Sequence, residues 1–271
     1  MFFAYCVQQG VTHVIMEVSS HALSLDRVHG ITFAAIGFTN LAPEHLDFYE
    51  TMDNYFAAKA QIFDQTNKQS LIVINADDEW SLRALAAATT AAELTQASIQ
   101  TFGQDESPST SHGTIRIHQA SCDGIEMILE YRPPLFIDCP QLFGMFNCYN
   151  IAMAATIAMH LGCSYTDVAK GLANFKGVPG RLQRHTLKNG ALAFVDYAHN
   201  PSSMEAILQT LKPFTGDLIV VFGCGGNRDT TKRPVMGRLA STYGDQVIIT
   251  DDNPRAEDAL AIIDQIITGI P

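Results

Sequence analysis

Between Ala191 and Ile267 the chain three times repeats one pattern: a short apolar run, a polar motif, then apolar residues at helical spacing. The runs are Ala191 to Val195, Leu218 to Phe222 and Val247 to Thr250. The motifs are Asp196-Tyr-Ala-His-Asn-Pro201, Gly223-Cys-Gly-Gly-Asn-Arg-Asp229 and Asp251-Asp-Asn-Pro-Arg255. The helical segments carry Met204, Ile207, Leu208 and Leu211, then Val235 to Ala240, then Ala259, Ile262, Ile263 and Ile266. Parallel neighbours need a crossover, and a helix is the compact one, so strand-helix repeats predict a parallel, doubly wound sheet. All three motifs then fall on the carboxyl edge of that sheet, where open α/β folds bind ligands. Asn200-Pro201 and Asn253-Pro254 each read as a helix N-cap with proline at the first helical position. Gly177-Val-Pro-Gly180-Arg181 marks a boundary between domains at 1–179 and 180–271.

The first 179 residues carry a second polar edge. His13 to Met16 and Phe33 to Ile36 read as buried strands, followed by Glu17-Val-Ser-Ser-His21 and by Thr39-Asn-Leu-Ala-Pro-Glu-His45-Leu-Asp47. Met52 to Phe63 has helical spacing and sets Lys59 on a largely apolar face. A buried lone ammonium is costly, so Lys59 should be paired or chemically altered. A carboxylate, hydroxyls, imidazoles and a lysine on one edge suit a phosphate and a hard metal ion. Leu71 to Ile74 reads as a strand ending in Asn75-Ala-Asp-Asp78, where Asp77 or Asp78 caps a helix over Glu79 to Ala88. Residues 89–112, with Pro108, predict a surface loop at least in their later part. Thr114 to His118 and Ile125 to Tyr131 predict paired strands, and Leu135 to Asp138 an edge strand after Pro133-Pro134. Phe146 to Leu161 predicts a helix with Asn147 and Asn150 near its start, one turn apart, placed to cap it or to read a base edge.

Composition bounds the partners. A length of 271 residues has room for two domains at roughly 150 residues each. The net charge of -11 argues against nucleic acid or an anionic membrane as main partner. The six cysteines form no CxxC pair, which predicts buried free thiols in a reducing cytoplasm. The apolar stretch Ile151 to Leu161 is too short to span a membrane and contains His160. Phe2-Phe-Ala-Tyr-Cys6 reads as a helix packed on a core, and Ile262 to Ile267 as a final helix; the expectation is a fragment of a longer protein.

The motifs in this order resemble the Mur ligase family, ATP-dependent amide-forming enzymes of peptidoglycan synthesis. The resemblance rests on Glu17-Val-Ser-Ser-His21, Thr39-Asn-Leu with Glu44-His-Leu-Asp47, Ala58-Lys59, Asn75-Ala-Asp-Asp78, Phe146-Asn147 with Asn150, Gly180-Arg181, Asp196-Tyr-Ala-His199, Gly223-Cys-Gly-Gly226 with Arg228-Asp229, and Asp252-Asn-Pro-Arg255. It implies an α/β protein: a central ATPase-like, ATP-binding domain with a mainly parallel sheet at 1–179, then a Rossmann-like, amino-acid-binding domain at 180–271. It implies an acyl phosphate made from a substrate carboxylate and ATP, which an incoming amine attacks. The implied partners are a UDP-N-acetylmuramoyl dipeptide, meso-diaminopimelate, ATP and Mg2+, met by a cytoplasmic monomer serving cell-wall synthesis, cell shape and division.

The resemblance also implies residue roles. Glu17 and His45 would hold magnesium, with Lys59 as a carbamate; read without the family, Lys59 pairs with Glu17 or a phosphate. Asn147 and Asn150 would meet adenine; Arg181, Asp196 and His199 the phosphates and ribose. Ser19 and Arg27 would hold the peptidyl substrate, and Arg228, Asn253 and Arg255 the incoming amino acid. The sequence departs from the family's usual pattern at Leu25, where glutamine is common, and at Asn200, where threonine is. No Gly-x-x-x-x-Gly-Lys-Ser/Thr occurs in the 271 residues, so this stretch alone is expected to be inactive. The rival readings are lysine-adding, D-alanyl-D-alanine-adding or folylpolyglutamate-type ligases, and a non-catalytic remnant.

Overall fold

The computed structural model describes residues 2–104, 115–121, 124–214 and 216–271. They fall into two compact units, Met1–Gln100 and Thr101–Pro271. This division by contacts lies well before the boundary that the sequence suggests near Gly177.

In the first unit the elements run α1 (Phe2–Gln8), α2 (Ser20–Ser24), β1 (Ala35–Phe38), α3 (Leu46–Tyr49), α4 (Met52–Ala60), a 3-10 turn (Gln61–Asp64), β2 (Leu71–Asn75), α5 (Ser81–Thr95) and β3 (Ser98–Phe102), which reaches the unit's end. The sheet order is β1-β2-β3, and β1 runs parallel to β2 with Ala35 opposite Leu71 and Phe38 opposite Ile74. The central β2 reads Leu-Ile-Val-Ile because both its faces are covered; Ile72, Val73 and Ile74 are fully buried. Helix α5 approaches the core through Ala84, Ala88 and Ala91, and α4 adds Tyr55 and Phe56. Trp80 stacks on Phe56 at 5.4 Å between ring centroids, and Arg83 lies over both rings while pairing with Asp53. Thr51 caps α4 by accepting from the Asn54 amide at 3.2 Å.

Three expectations fail here. His13 to Met16 lies in no strand and Ile15 is 97% exposed. Apolar residues favour a strand only where backbone partners exist, and no described backbone hydrogen bond reaches this run. Phe2 to Cys6 is helical, but only Cys6 of α1 is buried. Asp78 does not cap α5. Its carboxylate instead accepts from the Trp80 and Leu41 amides at 3.0 and 3.4 Å, tying the Thr39-Asn-Leu motif to β2's end. The alanine-threonine stretch continues α5 to Thr95, where Thr89 and Thr90 return hydrogen bonds to Leu85 and Ala86 carbonyls. Pro108, Cys122 and the start of the strand expected from Thr114 lie outside the described residues.

The second unit opens with an antiparallel sheet, β4 (Ile115–Ser121), β5 (Gly124–Leu129) and β6 (Leu135–Cys139), with β5 central and β6 an edge, as expected. Helices α6 (Met145–His160) and α7 (Tyr165–Ala173) follow. Ser164 and Asp167 form a capping box at α7, a Ser-x-x-acid signal that the sequence reading passed over. Then come β7 (Gln183–Thr186), β8 (Leu192–Val195), α8 (Pro201–Leu211), β9 (Ile219–Phe222), α9 (Lys232–Tyr243), β10 (Gln246–Ile249) and α10 (Ala259–Ile267). Strands β9 and β10 are parallel, as expected, with Ile219 opposite Gln246 and Phe222 opposite Ile249. The predicted third parallel member is not among them: β8 pairs antiparallel with β7. The polar Gln-Arg-His-Thr run supplies β8's backbone partner, and periodicity alone does not reveal such a partner. Cys139, Cys148 and Cys224 are buried free thiols like Cys6, whereas Cys163 is exposed.

Asn200 caps α8 as read, accepting from the Ser203 amide at 2.9 Å with Pro201 at the first turn. Asn253 does not cap α10; Asp258 does, accepting from the Ala261 amide at 2.9 Å. Asn253 and Arg255 have φ of 41° and 54°, so the chain turns through left-handed conformations before the helix begins. Helix α9 meets α10 at Gly237, where an added Cβ would lie 2.2 Å from the Ile266 carbonyl oxygen. Gly237→Ala should therefore destabilise the fold by about 1–3 kcal/mol, the usual cost of overpacking. Urea unfolding checks this: the midpoint should fall with an unchanged slope.

Candidate active site

The first unit gathers its polar side chains around α4. Lys59 is half-buried, with its ammonium over the Tyr55 ring at 5.3 Å from the centroid. It makes no ion pair among the described residues. Burial pushes its pKa below the usual lysine range, opposed by the negative charges of Glu44 and Glu17. The Tyr55 phenol is pushed up to about 12 by burial first, then by Glu44, Tyr49 and Glu17. Glu17 and Lys59 are therefore in one electrostatic neighbourhood, together with Glu44, which the sequence reading did not single out as a site residue.

His45 has a left-handed backbone (φ 58°) and immediately precedes α3. Its ring stands edge-on to His21 at 4.8 Å and to Tyr55 at 6.0 Å. His21 also packs on Phe48 and Tyr49, and Tyr49 stacks on Tyr55 at 5.4 Å. The imidazole of His45 is thus set on an aromatic bed built from α2, α3 and α4. Ser19 caps α2, accepting from the Ala22 amide at 3.2 Å, while the neighbouring Ser20 hydroxyl is buried with no hydrogen-bond partner among the described residues. Arg27 is exposed just beyond α2. Among the described residues no three His, Cys, Asp or Glu side chains converge as a metal site.

In the second unit Asn147 and Asn150 do not cap α6; Gly144, with φ 78°, holds the N-cap position. Buried Asn147 donates to the Phe143 carbonyl at 2.8 Å and accepts from the Asn150 amide at 3.0 Å. Its own amide is committed to the backbone, and it orients the exposed Asn150. Asp196 accepts from the Leu182 and Ala198 amides at 2.7 and 2.8 Å, which binds the Gly180-Arg181 turn to the end of β8. Arg181 lies over the Tyr197 ring at 5.7 Å, and that ring is edge-on to His199 at 5.6 Å. Lys232 at the start of α9 donates to the His199 carbonyl at 2.5 Å. Arg181, Asp196 and His199 are thus brought together, with Lys232 as an added cation.

The motifs after β9 and β10 are knitted to each other. The Gly226 amide donates to Asn253 O at 3.1 Å, and Arg255 Nη1 donates to Gly226 O. Asn227 Oδ1 accepts from the Ala256 amide at 3.0 Å. A Cβ on Gly226 would fall 1.8 Å from Pro254 O, so only glycine lets the loops approach this closely. Arg228 and Arg255 are exposed on these loops. Arg255 does not sit in a helix first turn, as the Asn253-Pro254 cap reading implied, because α10 starts only at Ala259.

The family description Mur ligase middle domain matches residues 1–158, more than half of the chain. The chain belongs to the Mur ligase family. The family's glutamate ligase domain matches residues 180–270. A UDP-N-acetylmuramoyl-L-alanyl-D-glutamate–2,6-diaminopimelate ligase from Syntrophomonas wolfei is 39% identical over 99% of this chain and 54% of its own length. The protein of the same name from Gloeobacter violaceus is 41% identical over 99% of this chain and 53% of its own length. The chain thus spans about half the length of the curated relatives it matches. A solved structure bearing that name superposes with a TM-score of 0.68 and 31% identity over 97% of this chain and 53% of the other. A folylpolyglutamate synthase from Thermotoga maritima, at 18% identity and TM-score 0.65 over 86% of this chain and 51% of its own, shares the Mur ligase fold.

Proposed function

We propose that the protein carrying this chain is an ATP-dependent ligase that adds meso-diaminopimelate to UDP-N-acetylmuramoyl-L-alanyl-D-glutamate in peptidoglycan synthesis. The observation that carries this reading is the 39–41% identity, over almost the whole chain, to proteins named for that reaction. Residues 1–179 would serve as the ATP-binding part and 180–271 as the amino-acid-binding part. ATP phosphorylates the dipeptide's terminal carboxylate, and the amine of diaminopimelate displaces phosphate. The protein is proposed to work as a monomer in the cytoplasm, upstream of cell shape and division. No helix among the described residues is long and apolar enough to cross a membrane.

Each cluster supplies a part of this chemistry. Glu17 and His45 offer two donors to Mg2+, and Lys59 fits as the third only as a carbamate, since an ammonium repels a cation. The half-buried Lys59 has no carboxylate partner within ion-pair distance among the described residues, which favours that conversion. Magnesium, when bound, neutralises charge on the transferring phosphoryl group. Asn150, set by Asn147, offers an amide to adenine. Arg181 presents a guanidinium fork to phosphate, beside Asp196 and His199 for the ribose. Ser19 and Arg27 hold the peptidyl substrate. Arg228, Asn253 and Arg255 receive the amino acid, where Arg255 retains free donors for the second carboxylate of diaminopimelate.

The test uses the intact protein with the UDP-linked dipeptide, ATP, Mg2+ and meso-diaminopimelate. Tripeptide product and ADP should both require all four. ADP release unaffected by diaminopimelate, or product formed equally from lysine, overturns the assignment.

A further inference from the structure

We propose that Arg233 is a positioning residue of the amino-acid pocket, a buried guanidinium that fixes the two loops bearing Arg228, Asn253 and Arg255. The proposal rests on the reading above, since it concerns that site's amino acid. Arg233 lies in the first turn of α9 and is 0% exposed. Its fork meets Glu257 bidentately, Nη1 to Oε2 at 2.9 Å and Nη2 to Oε1 at 3.0 Å. Nη1 also donates to Gln265 Oε1 at 2.7 Å, and Nη2 to Gly225 O at 3.3 Å. One side chain therefore holds the loop after β9, the segment before α10 and α10 itself.

The contacts continue from that fork to the exposed pocket residues. Glu257 Oε1 also accepts from the Asn227 amide, and Asn227 Oδ1 accepts from the Ala256 amide. Three non-glycine residues of these loops are left-handed: Asn227 at φ 53°, Asn253 at 41° and Arg255 at 54°. Such conformations persist only where surrounding contacts over-determine them. Glu257, gripped by Arg233, bonds Asn227 directly, and Asn253 and Arg255 are tied to the same loop through Gly226. The guanidinium is buried and the Glu257 carboxylate only partly so, and an ion pair that costs such desolvation is seldom more stable than an apolar pair of equal volume, so its worth here lies in geometry. Lysine would carry the charge but not the planar fork.

The experiment compares the intact protein with Arg233→Lys, Arg233→Met and Glu257→Gln. Each variant should raise KM for meso-diaminopimelate by about tenfold to a hundredfold, the worth of a charge-assisted hydrogen bond. KM for ATP should stay unchanged, and kcat should fall less than KM rises. Amide exchange at Asn227 and Ala256 should quicken while that of β9 and β10 does not. If Arg233→Met fails to fold, the lysine and glutamine variants carry the test. An unchanged diaminopimelate KM in folded variants, or an equal rise for ATP, overturns the positioning role. Failure of the unmutated protein to use diaminopimelate overturns the functional reading instead. Amide exchange then decides the positioning alone, and unchanged protection at Asn227 and Ala256 rejects it.

Discussion

Lys59→Ala in the intact protein should lower kcat/KM by about a hundredfold to a thousandfold, the usual loss when a preorganised charge is removed from a transition state. Tyr55 and Phe56 are buried on α4, and Lys59 lies half-buried on the same helix with its nitrogen against the Tyr55 ring. In the proposed site its removal would delete the third magnesium donor, after Glu17 and His45. Lys59→Arg separates the two possible roles. A plain cation would survive that exchange, whereas a carbamate cannot form on a guanidinium. The expected outcome is an inactive Arg variant and an Ala variant partly restored by a small added carboxylate. Labelled bicarbonate should also give a carbamate carbon signal in the unmutated protein and none in either variant. Full activity of Lys59→Arg would reject the carbamate.

Arg255→Ala should erase most of the preference for diaminopimelate over lysine while sparing ATP binding. Lysine has the distal ammonium of diaminopimelate but lacks its distal carboxylate. A site whose arginine is left unmatched loses about 1.5–3 kcal/mol, more than a neutral contact would. That is a preference of about tenfold to a hundredfold or somewhat more, since ~1.4 kcal/mol is a factor of ten. Helix amides do not share this anion with Arg255, because α10 starts only at Ala259. What aims the guanidinium is its bond to Gly226 O and the left-handed backbone at 54°. The measurement is the ratio of kcat/KM for the two amino acids before and after substitution. An unchanged ratio would refute the assignment.

Much of the architecture was legible because apolar periodicity reports burial directly. The strands near Leu71, Leu218 and Val247 and the helices over α4, α6 and α8 follow from it. Errors fell where a partner, not the segment itself, decides. His13 to Met16 has strand composition but no ladder, and β8 found its neighbour in the polar β7. The two Asn-Pro pairs look alike in sequence. One caps α8, and the other lies in a loop held through Glu257 by Arg233, which is more distant in sequence than a local pattern spans. Of the candidate site, the residue types were legible, as was the position of the motifs after β1, β9 and β10 at strand ends. Glu44 and His21 stood in the motifs without a role of their own, and Tyr55 and Arg233 were not read as part of the site, since their importance comes from who faces them. A charged residue in a Lys-Arg-Pro run reads as surface, yet Arg233 is fully buried.

The stacking of Trp80 on Phe56 has an optical consequence. Trp80 is the single tryptophan of the 271 residues, so the indole emission of this stretch has one origin. That indole stacks on the ring of Phe56 on α4, and the guanidinium of Arg83 lies over both rings. Lys59 lies less than one turn further along the same helix, so a rotation or loosening of α4 would alter the indole's quenching. The fold thus carries its own fluorescent gauge of the helix bearing the lysine, readable without any label.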